Sequence, residues 1–472
     1  MKIEQFYTSC LAEAAYYIES DGEAAIIDPL RESTPYLRQA EADGAKIKFV
    51  LETHFHADFV SGHQDLARKT GACIVFGPTA QPGYAAYIAA DEEVLSLGKI
   101  KIKVLHTPGH TLESTCYLLI DESGKEYALF TGDTLFIGDV GRPDLVQKVK
   151  AEITPEYLAG KLFDSLRSKI MPLPDSLLIY PGHGAGSACG KKMSKETIST
   201  LGLQKQFNYA LRANMTRQEF ITEVLTGLTE PPAYFPGNVL LNVCGSASID
   251  EVIKKGVTPL NVNEFETRWK TKKALVIDTR STKTFPLGFI PGSIFIGIDD
   301  TFAPWVGTLV ADLMQPLLFV CEAGREAEVV TRLARVGYDH VLGYLEGGME
   351  AWKAAGKPID TIEEITPAAF ATLFRDASES ILLDVRRASE FEREHIIGAY
   401  NIPLSELYKN LNNLSTRRTY YLYCAGGYRS LIAASIFKSG GIKQVINIKG
   451  GYNALKETGL PKTNYSEVNT EL

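Results

Sequence analysis

What this chain lacks narrows what it does. No apolar run reaches about 18 residues, so the sequence predicts no membrane-spanning helix. No cluster of Lys and Arg stands out, and 57 acidic residues against 49 basic ones leave a net charge of −8. That balance argues against nucleic acid as a main partner. No Cys-x-x-Cys pair occurs. The seven cysteines (Cys10, Cys73, Cys116, Cys189, Cys244, Cys321 and Cys424) are odd in number and widely spaced, which speaks against a disulfide framework. The opening MKIEQFYTSC has no charged leader followed by an apolar segment, so no secretory signal is expected and a cytoplasmic location is. What remains is an ordinary folded composition, 45% hydrophobic and 22% charged, in 472 residues. That length suits about three domains.

Short apolar runs alternate with turns in the first part. AAIIDPL (24–30), IKFVLETH (47–54), IKIKVLHTPGH (100–110), STCYLLI (114–120), YALFTGDTL (127–135) and SLLIYPGH (176–183) predict strands. STPYLRQAEADG (33–44) predicts a helix between them. Strands interleaved with helices predict an α/β layered fold. Residues 195–227 predict further helix, and EPPAYFPGN (230–238) predicts the end of a first domain near residue 235.

The remainder repeats itself. LVIDTR (275–280) matches ILLDVR (381–386) at an offset of 106, and FIPGSI (289–294) matches HIIGAY (395–400) at the same offset. LLFVCEAGRE (317–326) matches YYLYCAGGYR (420–429), and LEGGMEAW (345–352) matches IKGGYNAL (448–455), both at 103. Two copies of one α/β unit follow, at 255–360 and 365–472, with the seam near Pro358.

Six of the eight histidines (His54, His56, His63, His106, His110 and His183) fall in the first 183 residues, so metal chemistry is expected there. His54, His56 and Asp58 follow one apolar run, and His110, Asp133 and His183 each close another. Side chains at the ends of several strands converge on one edge. The four motifs HxHxD, TPGH, TGD and PGH resemble the metallo-β-lactamase superfamily, which implies an αββα sandwich. Binuclear zinc members of that superfamily usually read HxHxDH, whereas here Phe59 follows Asp58. A benzene ring is no metal ligand. His63 would need a different backbone path to replace it. A single metal on His54, His110 and Asp133 is therefore expected, with open positions of the kind that non-haem Fe(II) oxygenases use. His56, Asp58 and His183 are expected to surround it, orienting ligands or moving protons.

THFHADFVSGH, TPGHTLES and GDTLFIGDVGRPDL are similar to the persulfide dioxygenase branch of that superfamily. The resemblance implies one Fe(II) per chain, O2 as co-substrate and oxidation of a thiol persulfide to sulfite. It also implies that Arg142 lies near a substrate carboxylate, which a guanidinium fork would grip bidentately. An ion pair of Arg142 with Asp144 is the other reading. Cys189, in GHGAGSACGK, is expected on a flexible loop at the mouth of the site, either as a sulfur acceptor or as a packing residue.

Cys424-Ala425-Gly426-Gly427-Tyr428-Arg429 lies between an apolar strand and a helical run. Loop N–H groups and a helix N-terminus favour a thiolate there, and Arg429 adds fixed positive charge. This pattern, with LLDVR and HIIGAYNIP, resembles the rhodanese sulfurtransferases. The resemblance implies that Cys424 carries a persulfide, with Gly426, Gly427 and Arg429 cradling the sulfur anion. In the first copy Cys321 takes the same place, but Glu326 stands where Arg429 does and Glu322 adds a second carboxylate. Those charges should raise the Cys321 thiol and repel sulfite, making this copy a degenerate scaffold.

The order of domains resembles bacterial fusions of persulfide dioxygenase with sulfurtransferase. The expected partners are a thiol persulfide, O2, and sulfite or thiosulfate, with no nucleic acid or membrane, in a homo-oligomer. Glutathione, coenzyme A or another thiol would serve as carrier. The rival expectation is a zinc thioester hydrolase of the glyoxalase II kind fused to a sulfurtransferase.

Overall fold

The structure, a computed structural model, describes residues 1–145, 152–374 and 380–464. Contacts divide it into two compact units. One is Met1–Val252 with Val310–Leu313 and Thr331–Asp339, and the other takes the rest from Ile253 onward.

The first unit is built on two six-stranded sheets. The first runs in order through Lys2–Thr8, Glu13–Ser20, Glu23–Ile27, Lys46–Leu51, Cys73–Phe76 and Tyr87–Ile88. Its later strands pair in parallel. Parallel neighbours need a crossover, and the helices Thr34–Ala42 and His63–Thr70 supply two of them. The second sheet runs in order through Ser199–Thr200, Leu178–Pro181, Glu126–Gly132, Thr115–Ile120, Ile100–His106 and Val94–Leu97. Tyr16, Ile18, Ala25 and Ile27 of the first sheet meet Ile102, Val104, Tyr117 and Phe130 of the second in one core. The outer face of the first sheet is covered by Tyr36, Ala40 and Leu66. That of the second is covered by Leu162, Phe220 and Val224. This is the αββα sandwich that the motifs implied.

Three expectations shift at element ends. The strand from Ile100 stops at His106, because Pro108 has no N–H to continue the ladder, and TPGH lies on the loop beyond. Residues 195–227 are not one helix. They break into Leu201–Phe207 and Arg217–Leu225, the second opened by a Thr216–Glu219 capping box. EPPAYFPGN is not a boundary either. Pro236 sits in the first turn of a helix, Phe235–Cys244, where a missing N–H costs nothing. That helix belongs to the first unit, so the boundary expected near 235 moves beyond Val252.

The helix Phe235–Cys244 has a specific task. Asn242 Nδ2 donates to the carbonyls of His56 and Phe59, both at 2.8 Å, and its Oδ1 accepts the N–H of Ser61 at 2.9 Å. One buried amide thus satisfies three backbone groups of the HFHADF loop.

In the second unit the repeat is structural. Pro259–Leu260, Val341–Leu345, Leu317–Val320, Leu275–Asp278 and Ile294–Phe295 form one parallel sheet in that order. Glu363–Ile365, Val445–Ile448, Thr419–Tyr423, Ser380–Asp384 and Ala399–Asn401 form another, strand for strand. The shared D-x-R motif has one cause in both copies. Arg280 folds back on Asp278 and Arg386 on Asp384, each closing to 2.6 Å and each reaching a further carbonyl, of Gly288 and Glu394. No helix among the described residues is long and apolar enough to cross a membrane.

Asn242→Ala should strand buried carbonyls and cost about 2–4 kcal/mol. The expected readout is a lowered thermal midpoint together with reduced metal content; a midpoint unchanged from wild type would show the clamp to be dispensable.

Candidate metal centre and sulfur-transfer loop

Three imidazoles in the first unit are set by the same device. Thr53 donates its hydroxyl to Asp28 Oδ2 at 2.8 Å, so its oxygen is left to accept Nδ1–H of His54 at 2.9 Å. His110 Nδ1 faces the Arg142 carbonyl at 2.8 Å, and His183 Nδ1 faces the Ala12 carbonyl at 3.2 Å. Each oxygen fixes the proton on Nδ1 and leaves Nε2 with a lone pair. To present its carbonyl, Ala12 takes a φ of +51°, a conformation that costs free energy in any residue but glycine.

The freed nitrogens converge on Asp133. His110 Nε2 is 3.4 Å and His54 Nε2 4.0 Å from Asp133 Oδ2, while His183 Nε2 is 3.6 Å from Oδ1. His54, His110 and Asp133 place one ligand atom each within 4.8 Å of the others, all buried. His54 Nε2 and both oxygens of Asp133 have no hydrogen-bond partner. Buried polar atoms are seldom left so, and a cation is the partner this donor set fits. Burial, with His56, His110 and His183 nearby, holds His54 well below the usual imidazole range, in the neutral form a metal needs. The glycines of TGD and PGH make the approach possible. A Cβ on Gly132 (φ +47°) would meet Thr53 Oγ1 at 2.4 Å, and one on Gly182 would meet Asp133 Oδ1 at 2.8 Å.

The neighbouring groups sort themselves differently. His56 turns away, its Nε2 3.1 Å from Asp28 Oδ1 and 3.5 Å from Glu52 Oε2. Burial opposes its charging, but Asp28, then Glu52 and Asp58, lift it to about 9. Phe59 stacks on the His56 ring at 4.2 Å. His63 faces Glu52 and the Tyr84 ring and takes no place in the centre. Asp58 and His183 come together with Cys189 as a separate buried cluster.

One expectation needs correction, and one choice between two readings is made. Cys189 is not on a loose loop at the mouth: it is 1% exposed, and its carbonyl accepts the Arg142 N–H at 2.9 Å. Burial, then Asp58 and Asp133, push its thiol well up. Of the two readings of Arg142, the structure shows the ion pair with Asp144. Its Nε and Nη2 hold Asp144 at 2.7 Å each, and its remaining donors reach the carbonyls of Ala188 and Thr229. It is a buried strut that carries His110 and Cys189 on its own backbone.

Sequence reasoning passed over Glu13, Asp28 and Glu52, all buried in this centre. Both oxygens of Glu13 lack a partner, and burial, then Asp58 and Asp28, raise its carboxyl well above the ordinary range. An acidic residue inside a strand as apolar as AEAAYYI was the available signal.

In the second unit Cys424 ends the strand Thr419–Tyr423, and its Sγ accepts the Gly427 N–H at 3.1 Å. Gly427 takes φ +103° to turn that amide inward and opens the helix Tyr428–Ser439. Gly426 is exposed, with open space around it. Arg429 grips Glu390 through both terminal nitrogens, at 2.7 and 2.9 Å. The first copy inverts this. Glu326 takes the Gly324 N–H at 3.0 Å, a loop amide that an anion would otherwise use. Arg325 is drawn aside to Glu328 and Asp299. Burial, Glu326 and Asp278 push the Cys321 thiol up to about 12.

Comparison with known proteins agrees with this architecture. The profile of the metallo-β-lactamase superfamily matches residues 9–183, and that of the rhodanese-like domain matches 261–355 and 366–458. A probable hydroxyacylglutathione hydrolase of Schizosaccharomyces pombe is 30% identical over 220 residues, 41% of this chain and 79% of that protein. A cytoplasmic hydroxyacylglutathione hydrolase of Arabidopsis thaliana is 34% identical over 188 residues, 39% of this chain and 67% of that protein. The crystal structure of a metallo-β-lactamase from Staphylococcus aureus superposes with a TM-score of 0.64 at 33% identity, covering 73% of this chain and 98% of that one. The chain belongs to the metallo-β-lactamase superfamily and carries two rhodanese-like domains after its metal-binding domain.

Glu326→Arg should lower the Cys321 thiol and speed its alkylation at mildly alkaline pH several-fold by mass spectrometry. An unchanged rate would show that Glu326 is not what holds the Cys321 thiol up.

Proposed function

We propose that the first unit is an iron-dependent persulfide dioxygenase and that the last rhodanese domain converts its product to thiosulfate. The observation that carries this reading is Phe59, which lies on His56 at the position where binuclear zinc relatives place an imidazole. It leaves His54, His110 and Asp133 as a two-imidazole, one-carboxylate set with open positions. Bound there, iron(II) would supply the redox chemistry that joins O2 to sulfur. Around it, Thr53 and the Arg142 carbonyl keep the ligand tautomers fixed, and Asp28 and Glu52 keep His56 out of the coordination sphere. The overall reaction balances as RSSH + O2 + H2O giving RSH, sulfite and two protons.

A second thiol persulfide passes its outer sulfur to the Cys424 thiolate and leaves as the thiol, and sulfite then attacks the outer sulfur of the persulfide so formed on Cys424. The S–S bond breaks, thiosulfate leaves, and the electron pair returns to Cys424 Sγ, where the Gly427 N–H receives it. Arg429 lies beside this loop, held by Glu390, and Cys321 is left without that role. Covalent joining of the domains keeps sulfite at high local concentration. The Staphylococcus aureus relative supports a shared fused architecture, since the likeness extends over 73% of this chain. A thiol persulfide is the substrate and O2 the co-substrate, in a homo-oligomer.

The names of the hydroxyacylglutathione hydrolases favour a second reading, a zinc-dependent thioester hydrolase. Anaerobic iron loading followed by oxygen-electrode assays over a panel of persulfides separates the two. Oxygen consumption that is lost in His54→Ala is the expected outcome; thioester cleavage with zinc and no oxygen uptake with any persulfide overturns the dioxygenase. Cys424→Ser should abolish thiosulfate while oxygen uptake and sulfite release persist, as followed by chromatography of the sulfur products.

A further inference from the structure

We propose that Glu390 is a specificity-determining residue of the Cys424 loop. By occupying both terminal nitrogens of Arg429 it keeps the loop a poor binder of thiosulfate, so that a thiol persulfide charges Cys424 and thiosulfate leaves as product. The inference rests on the reading of Cys424 as a sulfur carrier and adds the choice of donor; it does not depend on the oxygen reaction.

Arg429 is placed to serve an anion at Cys424. Burial opposes its charge, but Glu390 and then Cys424 raise its guanidinium above the ordinary range. The fork, however, is already engaged. Its two terminal nitrogens close on the two oxygens of Glu390 at 2.7 and 2.9 Å, the bidentate geometry in which a guanidinium would hold an oxyanion. Glu390 is anchored from its other side as well. The Arg387 N–H donates to its Oε2 at 3.2 Å and fixes the carboxylate in the first turn of the helix Ala388–Arg393. Both side chains are partly buried, so solvent screens the pair incompletely.

The internal repeat separates this pair from the scaffold. The strand-end pairs Asp278–Arg280 and Asp384–Arg386 occur in both copies. At the offset that aligns those motifs, Thr284 stands in place of Glu390 and donates its hydroxyl to the Ser281 carbonyl, while Glu326 stands in place of Arg429. A contact needed for the fold would be kept in both copies. This one accompanies the cysteine loop that ends in arginine.

Either donor loads Cys424 in the same way. Its thiolate attacks the outer sulfur, the S–S bond breaks, and the electron pair leaves with the thiol of a persulfide or with the sulfite of thiosulfate. The leaving group is what differs. Thiosulfate is a dianion whose sulfonate end needs a free cation to replace its water, and the thiol end of a persulfide does not. With Arg429 spent on Glu390, loop amides such as that of Gly427 meet the transferred sulfur, and the sulfonate has no guanidinium to itself. Sulfite faces the same loop, and its high local concentration offsets the weak hold.

Sulfur transfer to cyanide by the full-length protein tests this, with thiosulfate or the persulfide of an uncharged thiol as donor. Glu390→Gln should lower the KM for thiosulfate about tenfold, the worth of one charge-assisted hydrogen bond, and leave the persulfide nearly unaffected. Glu390→Asp, which keeps the charge, should keep the wild-type preference. Alkylation of Cys424, followed by peptide mass spectrometry, reads the local charge separately. Glu390→Gln should speed iodoacetate more than iodoacetamide, a ratio that a merely loosened loop would not move. Equal changes with both donors, or an unmoved ratio, overturn the role of Glu390. If circular dichroism shows that Glu390→Gln does not fold, sulfate on the wild type decides. Millimolar sulfate that leaves Cys424 open to iodoacetamide supports the proposal, and full protection overturns it. Transfer from neither donor, with no persulfide mass on wild-type Cys424, overturns the carrier reading and the proposal with it.

Discussion

The centre of this protein is a concentration of buried charge-bearing groups that cannot be neutralised among themselves. Asp133 offers two oxygens and receives no N–H for either. Asp58, Glu13, Asp28 and Glu52 lie buried nearby with four imidazoles. Taking carboxylates out of water without partners is among the larger penalties a fold meets. Much of the surrounding structure answers that constraint. Backbone and hydroxyl oxygens set the proton of His54, His110 and His183, glycines let strands approach the carboxylate, and His56 is spent on Asp28 and Glu52.

Much of this was legible in the linear sequence. HxHxD, TPGH, TGD and PGH stand at the ends of apolar runs; the runs themselves predicted an α/β layered fold, and the sandwich came from the resemblance those motifs carry. The repeat was equally plain, because D-x-R, Cys and Gly-Gly recur at fixed offsets and each has a local structural cause. Contacts made across long sequence separations were not legible. Asn242 lies in an unremarkable helix, and its three bonds to the HFHADF loop span more than 180 residues. Pro236 looked like a linker residue because a helix's first turn and a loop tolerate proline equally well. Arg142 left two readings open because a guanidinium fork fits any carboxylate, and the structure shows the one with Asp144, two residues away. Glycines around Cys189 suggested mobility, yet the surrounding hydrogen bonds bury it.

The two rhodanese-like copies place the same cysteine in differently charged loops. Their sheets share strand order and their strand-end ion pairs match. The difference is electrostatic. One loop turns an amide toward the sulfur of Cys424, and the other surrenders an amide to Glu326. With the scaffold constant, Glu326 in the first copy takes a loop amide and helps raise the Cys321 thiol.

The amide of Asn242 also bears on how the molecule matures. All three residues of the candidate metal site lie within the first 133 residues, but the carbonyls of His56 and Phe59 wait for an amide encoded about a hundred residues later. During synthesis those two carbonyls therefore have no Asn242 amide to meet until Phe235–Cys244 is made. A gene fragment ending where the ligand motifs end would encode the whole coordination set without its latch.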